Sequence, residues 1–349
     1  MIDLIRHPKL RQIARDLHIP ESEDAMRDLR DHAIETVRAM LREWTLESIE
    51  DLRRLVADRL SVKLEFVRTD ADVARLASEY QHFFLRFRRL LQKEFITGDT
   101  EGLLIDNPSP DKGGRRYLAI IDARGARAPR AYFTAWHELA HLLLCPPKQM
   151  LFEGFRRSPT DTLKRKDPLE SAVDQIAGLL AFWEPIFKPA LCDASAGGLS
   201  FGAIETASDI VAPGASLYAA SLAAIRLWEG PAIFLTAEEA TKTDGTGYAL
   251  RVQTIIPNDL AKSANPRIRK CMRVPPESSL YQTFKANVGS ERVTSENQEI
   301  WEVSGYGNLP SLRWEVQSLR RGPAVYGLLK PLLRPQVEPY CGRLFVGKN

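Results

Sequence analysis

The residues best suited to chemistry lie in Trp136-His137-Glu138-Leu139-Ala140-His141, an H-E-x-x-H segment. On a helix, histidines four positions apart share a face about one turn from each other, where both imidazoles can hold one zinc ion. Glu138, beside the first histidine, can act as general base on an attacking water. Phe133, Leu139, Leu142, Leu143 and Leu144 make the surrounding segment apolar. A buried helix is therefore expected, and a buried His-Glu-His cluster with no metal is costly to desolvate. The competing reading, a chance pentapeptide with solvated polar residues, fits that apolar setting poorly.

A catalytic zinc needs three protein ligands and an open position. Of the six histidines the other four, His7, His18, His32 and His82, all lie upstream. The longer H-E-x-x-H-x-x-G-x-x-H pattern is absent, since Leu144 stands in place of its glycine and Pro147 in place of its histidine. A carboxylate on a following helix, in the gluzincin manner, is then the expected third ligand. The downstream choices are Glu153, Asp161, Asp167, Glu170 and Asp174. Asp167-Pro168-Leu169-Glu170 opens a helix on which Glu170 and Asp174 share a face. Glu170 also fits the third position of a capping box begun by Asp167, and spacing leaves ligand and cap both open. With Glu170 as ligand, Asp174 can orient a histidine N–H. Cys145, one turn beyond His141, suits an inhibitory fourth ligand or a plain helix end.

Several elements must position these groups. The stretch from Ile19 to about Leu60 is helical, with a second helix opening at Thr45. Ser61–Val67 alternates as a strand, and Asp70 to Phe95 is helical. Gly102–Ile105 and Tyr117–Ile121 form two short strands, and the segment Arg115–Ile121 suits either an edge strand that pairs with an extended substrate or, the favoured reading, an interior strand. Helices follow over Arg130–Leu144 and Pro168–Phe182, the latter stopping near Pro185. After Asp193-Ala-Ser-Ala-Gly-Gly comes an alanine-rich helix from Ile204 to Trp228. Strands are expected at Ala232–Leu235, Tyr248–Ile256 and Glu299–Val303.

The chain has 349 residues, 44% hydrophobic and 27% charged, which suits two soluble domains and argues against wholesale disorder. No apolar run approaches the roughly 18 residues of a membrane helix, and the charged start MIDLIRHPKLRQ does not suit a signal peptide. A cytoplasmic protein is expected. Cys145, Cys192, Cys271 and Cys341 contain no C-x-x-C pair, which argues against a zinc ribbon or a disulfide framework. Residues 250–349 carry 15 basic against 8 acidic side chains, so that third holds +7 of a net +3 and leaves −4 for the rest. Arg267, Arg269, Lys270 and Arg273, with Tyr281 and Phe284 nearby, could hold single-stranded nucleic acid or form a solvated basic loop.

Tyr132-Phe-Thr-Ala-Trp-His-Glu-Leu-Ala-His-Leu-Leu-Leu144 resembles the R-F-T-x-A-H-E-x-x-H-x-L signature of the ImmA/IrrE metallopeptidases. Glu170-Ser-Ala-Val-Asp174-Gln-Ile-Ala-Gly-Leu-Leu180 is similar to that family's E-x-x-A-[DN]-x-F-A-A-x-L-L helix. The resemblance spans roughly residues 30–230. Val173, Ile176 and Gly178 depart from the pattern, and the aromatic, basic segment 75–98 looks like an insertion. None of these removes a catalytic group.

The resemblance implies zinc held by His137, His141 and Glu170, with Glu138 as the catalytic base. It also implies an α+β chain: a mainly helical zincin-like metallopeptidase domain with a small sheet at 1–190, and a helical linker at 191–230. A C-terminal α/β sensor-like domain, GAF-like in several relatives, takes 231–349. Family members typically cleave a helix-turn-helix repressor, freeing a DNA-damage, mobile-element or anti-phage operon. A single-stranded nucleic acid or small-molecule activator at the sensor domain would fit, and no membrane is involved. The alternative is a DNA-binding or scaffolding regulator with a purely structural zinc.

Overall fold

A computed structural model describes residues 5–20, 22–42, 44–80, 100–107, 114–144, 155–157, 167–241, 247–263, 268–297, 300–301 and 313–332. Cys145, Glu153, Asp161, Arg267 and the stretch 81–98 lie outside these. Among the described residues the chain is α+β, with eleven α-helices and two sheets. It divides into two units, residues 1–198 with 202–223, and residues 199–201 with 224–349.

In the first unit the helices are α1 (Pro8–Asp16), α2 (Ala25–Met40), α3 (Ile49–Arg59), α4 (Asp70–Glu79), α5 (Ala128–Leu144), α6 (Pro168–Leu180) and α7 (Glu184–Ala194). Strands β1 (Val62–Val67), β2 (Gly102–Asp106), β3 (Tyr117–Asp122) and β4 (Phe155–Arg157) form one sheet in the order β1-β3-β2-β4. β1 runs parallel to β3, while β2 is antiparallel to both β3 and β4. β3 is thus interior, consistent with burial at all six of its positions.

Local chemistry sets the helix starts. Asp24, Ser48, Thr69 and Asp167 each cap a helix by accepting from a backbone N–H two or three residues on. Ser48, not Thr45, opens the second helix, because its hydroxyl accepts from Asp51 N at 3.1 Å. Pro185, read as a stop signal, instead stands in the first turn of α7, where a missing N–H costs nothing. The single helix expected over 204–228 is two, α8 (Phe201–Val211) and α9 (Leu217–Leu227). Pro213-Gly214 separates them, with Gly214 at φ 89°, a left-handed conformation that glycine adopts freely.

The second unit holds one antiparallel sheet. Its strands are β5 (Ile233–Thr241), β6 (Tyr248–Pro257), β7 (Glu291–Asn297), β8 (Arg313–Arg321) and β9 (Ala324–Pro331), in the order β6-β5-β9-β8-β7. Two short helices, α10 (Asp259–Ser263) and α11 (Ser279–Lys285), accompany it. Alternation along β5 sends Ile233, Leu235 and Ala237 into a core with Val252, Trp314 and Phe284. Phe234 instead meets Phe201 and Tyr326, at ring-centroid distances of 6.4 and 5.6 Å. Ile300 and Trp301 sit in a 3₁₀ turn rather than the expected strand, with Trp301 buried in that core.

A candidate metal centre

The buried helix α5 supplies the first two candidate ligands. Twelve of its seventeen residues are buried, His137, Glu138 and His141 among them. The residues of α6 that are buried, Ala172, Val173, Ile176, Ala177 and Leu180, are mostly small or β-branched, and α6 packs along α5. Tyr132 joins the pair by donating from its hydroxyl to the Ala181 carbonyl at 2.5 Å, and burial pushes the Tyr132 pKa up. That hydroxyl is therefore engaged at the far end of α6 and not with His137, His141 or Glu170.

Where the helices face each other, three groups converge. His137 Nε2 lies 3.1 Å from His141 Nε2 and 3.1 Å from Glu170 Oε2, and His141 Nε2 lies 3.5 Å from Glu170 Oε1. The two imidazole rings meet edge to face at 80°. Asp174 Oδ1 lies 3.0 Å from His137 Nδ1. A carboxylate there accepts, so His137 Nδ1 donates to Asp174, and Nε2 is the nitrogen turned toward His141 and Glu170.

Burial drives the His141 pKa down to about 4, which keeps that ring neutral at physiological pH. Burial opposes ionisation of Glu170, but its close contacts with the His137 and His141 rings outweigh it and hold the carboxyl well below its usual range. Two imidazole Nε2 atoms and one carboxylate thus converge on one point. A cation at that point satisfies all three. Tetrahedral zinc with ligands at about 2.0–2.2 Å separates its donor atoms by roughly 3.3–3.6 Å, close to the spacing here. The donor set fits that ion.

Glu170 therefore spends its carboxylate on the histidines, while Asp167 alone caps α6 by accepting from Leu169 N at 2.8 Å. Asp167 also pairs with Lys9 at 2.5 Å and takes no part in the cluster. The histidine side chains are 2% exposed, whereas Glu170 is 37% exposed, so the cluster opens along the carboxylate side. Glu138 is wholly buried and lies against Gly102 of β2. Spacing alone did not single out Gly102 as part of the site. Its signal was a glycine within a strand, which often marks a close approach of another element.

In the second unit, Arg269, Lys270 and Arg273 are exposed in the turn after α10. Phe284 is buried in the core and cannot stack on a base, because its ring already packs under the sheet. Tyr281 is partly buried, with Lys285 Nζ 5.6 Å from its ring centroid.

No family model matches the chain, and no curated protein matches it. Among solved structures it is similar to a Mycobacterium tuberculosis transcriptional regulator, at a TM-score of 0.45 and 9% identity over 93% of this chain and 81% of that one. So remote a likeness leaves the reading of function to the site itself. Among the described residues no helix is long and apolar enough to cross a membrane.

Proposed function

We propose that the chain is a zinc endopeptidase of the ImmA/IrrE type, acting on a helix-turn-helix repressor to release a stress, DNA-damage or phage-defence operon. The observation that carries this reading is the convergence of His137, His141 and Glu170 with Glu138 beside the first ligand. The helix α5 under a four-stranded sheet supports a zincin-like domain.

In this reading His137, His141 and Glu170 hold zinc, which when bound acidifies water and polarises the scissile carbonyl. Asp174 fixes the His137 tautomer and ring plane. Glu138 takes the proton of the attacking water and returns it to the departing amine nitrogen, which balances the hydrolysis. We assign the C-terminal unit the sensor role, since its core is built from its own strands and helices. A polyanionic activator there would be held by charge on Arg269, Lys270 and Arg273 rather than by stacking on Phe284.

The test measures zinc by mass spectrometry alongside cleavage of purified candidate helix-turn-helix repressors. Wild type should carry one zinc per chain, and Glu170→Ala should lose most of it. Glu138→Gln should keep the zinc and cleave roughly 10²–10⁴-fold more slowly. A structural zinc in a non-enzymatic regulator would instead leave Glu138→Gln without effect on any measured function. Zinc absent from reconstituted wild type would end the protease reading.

A further inference from the structure

We propose that Gly102 is a positioning residue for Glu138: the bare backbone of β2 forms the seat that fixes the carboxylate of the catalytic base. This rests on the peptidase reading above. Arg130, Thr134 and Glu138 stand four residues apart on α5 and so form one stripe, while His137 and His141 lie on the face toward α6. The stripe lies over the start of β2. Arg130 pairs with Glu101, and Arg127 just before it donates to the Thr100 carbonyl at 3.3 Å.

Opposite Thr134 and Glu138 stands Gly102. A Cβ built there would overlap Glu138 Oε1, would lie 3.2 Å from Glu138 Cδ and only 2.6 Å from Thr134 Cγ2. Real Cβ atoms do not approach other atoms that closely, so any other residue must displace one of the two side chains. Backbone conformation does not demand glycine here, since its φ lies outside the left-handed region. Nor is the strand end free to move aside, because Gly102 is paired with Ile121 of β3 and with Arg157 of β4. Space for the carboxylate is what the glycine provides.

Filling that space should push the Glu138 carboxylate out of place and leave the ligand triad, on another face of α5, intact. A shift of about 1 Å in a reacting group can cost around 100-fold in rate. Gly102→Ala should therefore lower kcat by roughly 10–100-fold, with KM and zinc content near wild type. In a Glu138→Gln background the same substitution should cause little further loss.

The decisive readout needs no substrate. Overpacking should lower Tm by about 3–10 °C when Gly102→Ala is made in the wild type. Made in the Thr134→Ser, Glu138→Ala background, where the crowded atoms are gone, the same change should shift Tm by only about a degree. Equal losses in both backgrounds would overturn the seat, as would a Gly102→Ala protein with full stability and full turnover. A zinc-loaded wild type that cleaves no repressor would instead overturn the peptidase reading, and the melting cycle distinguishes that failure from failure of the seat.

Discussion

Two acidic side chains of the first unit hold partners of different kinds, one supporting the fold and the other the candidate site. Asp122, at the end of β3, has a fully buried side chain that accepts from Arg124 Nη2 at 2.8 Å and from Arg127. Burial alone would raise its pKa, but the hydrogen bonds from Arg124 and Arg127 carry it below the usual value of 3.8. A depressed folded pKa means that the unfolded chain binds the proton more readily. The stabilisation is therefore complete above about pH 4 and is lost as pH falls through the lower folded value. Asp122→Asn takes the shared charge from two partly buried guanidinium groups, which keep Asp70 and the Thr100 carbonyl as other partners, and should cost about 1–3 kcal/mol at pH 7, read by urea denaturation. The penalty should shrink below pH 4, where wild type also loses the charge. Asp174 acts on function rather than on stability. Its carboxylate accepts from His137 Nδ1, so Asp174→Asn should weaken zinc binding by about 10–100-fold in chelator competition and leave the fold intact.

Between elements, the distance from α5 to α6 decides whether Glu170 reaches the histidines. The Tyr132 hydroxyl spans that gap to the Ala181 carbonyl, one residue past the end of α6. Tyr132→Phe leaves that buried carbonyl short of a donor and should cost about 1–2 kcal/mol in chemical denaturation. Zinc affinity should fall several-fold with it, whereas a purely local defect would lower stability and leave affinity unchanged. The same elements show what a sequence can disclose. Helical period alone sets His137 and His141 on one face, and alternation marks β1 and β6. Glu170 could be read as ligand or as cap, because its fate turns on how closely α6 packs on α5, a tertiary distance that no local pattern encodes. Strand β7, Glu-Arg-Val-Thr-Ser-Glu-Asn, is exposed at nearly every position and has no apolar alternation to announce it. Its ladder with β8 defines it. The helix break at Pro213-Gly214 was written in residue types and was masked by the alanine-rich flanks on either side.

At the scale of the whole chain, the division into two units separates the chemistry from the larger sheet. The proposed ligands His137, His141 and Glu170, with Glu138, Gly102 and Asp174, all belong to the first unit. The second unit has a core of its own in which Trp314, 1% exposed, packs with Val316, Leu329 and Trp301. Removing a fully buried tryptophan side chain costs about 3–5 kcal/mol through lost contacts and the cavity left behind. Trp314→Ala should therefore strip hydrogen-exchange protection from β5, β8 and β9. Zinc stoichiometry should stay at one per chain, since no ligand is drawn from that core. Bound zinc, in turn, raises the stability of whatever structure creates its site, by about 4 kcal/mol at a thousand times the Kd. Chelation should accordingly weaken protection in α5 and α6 and leave β5, β8 and β9 as they were. If the repressor were still cleaved by the Trp314→Ala protein but no longer under control of its inducing signal, the two halves would hold separate duties: hydrolysis in the first unit, regulation in the second. Loss of zinc on Trp314→Ala would instead show that the ligand geometry depends on the second core.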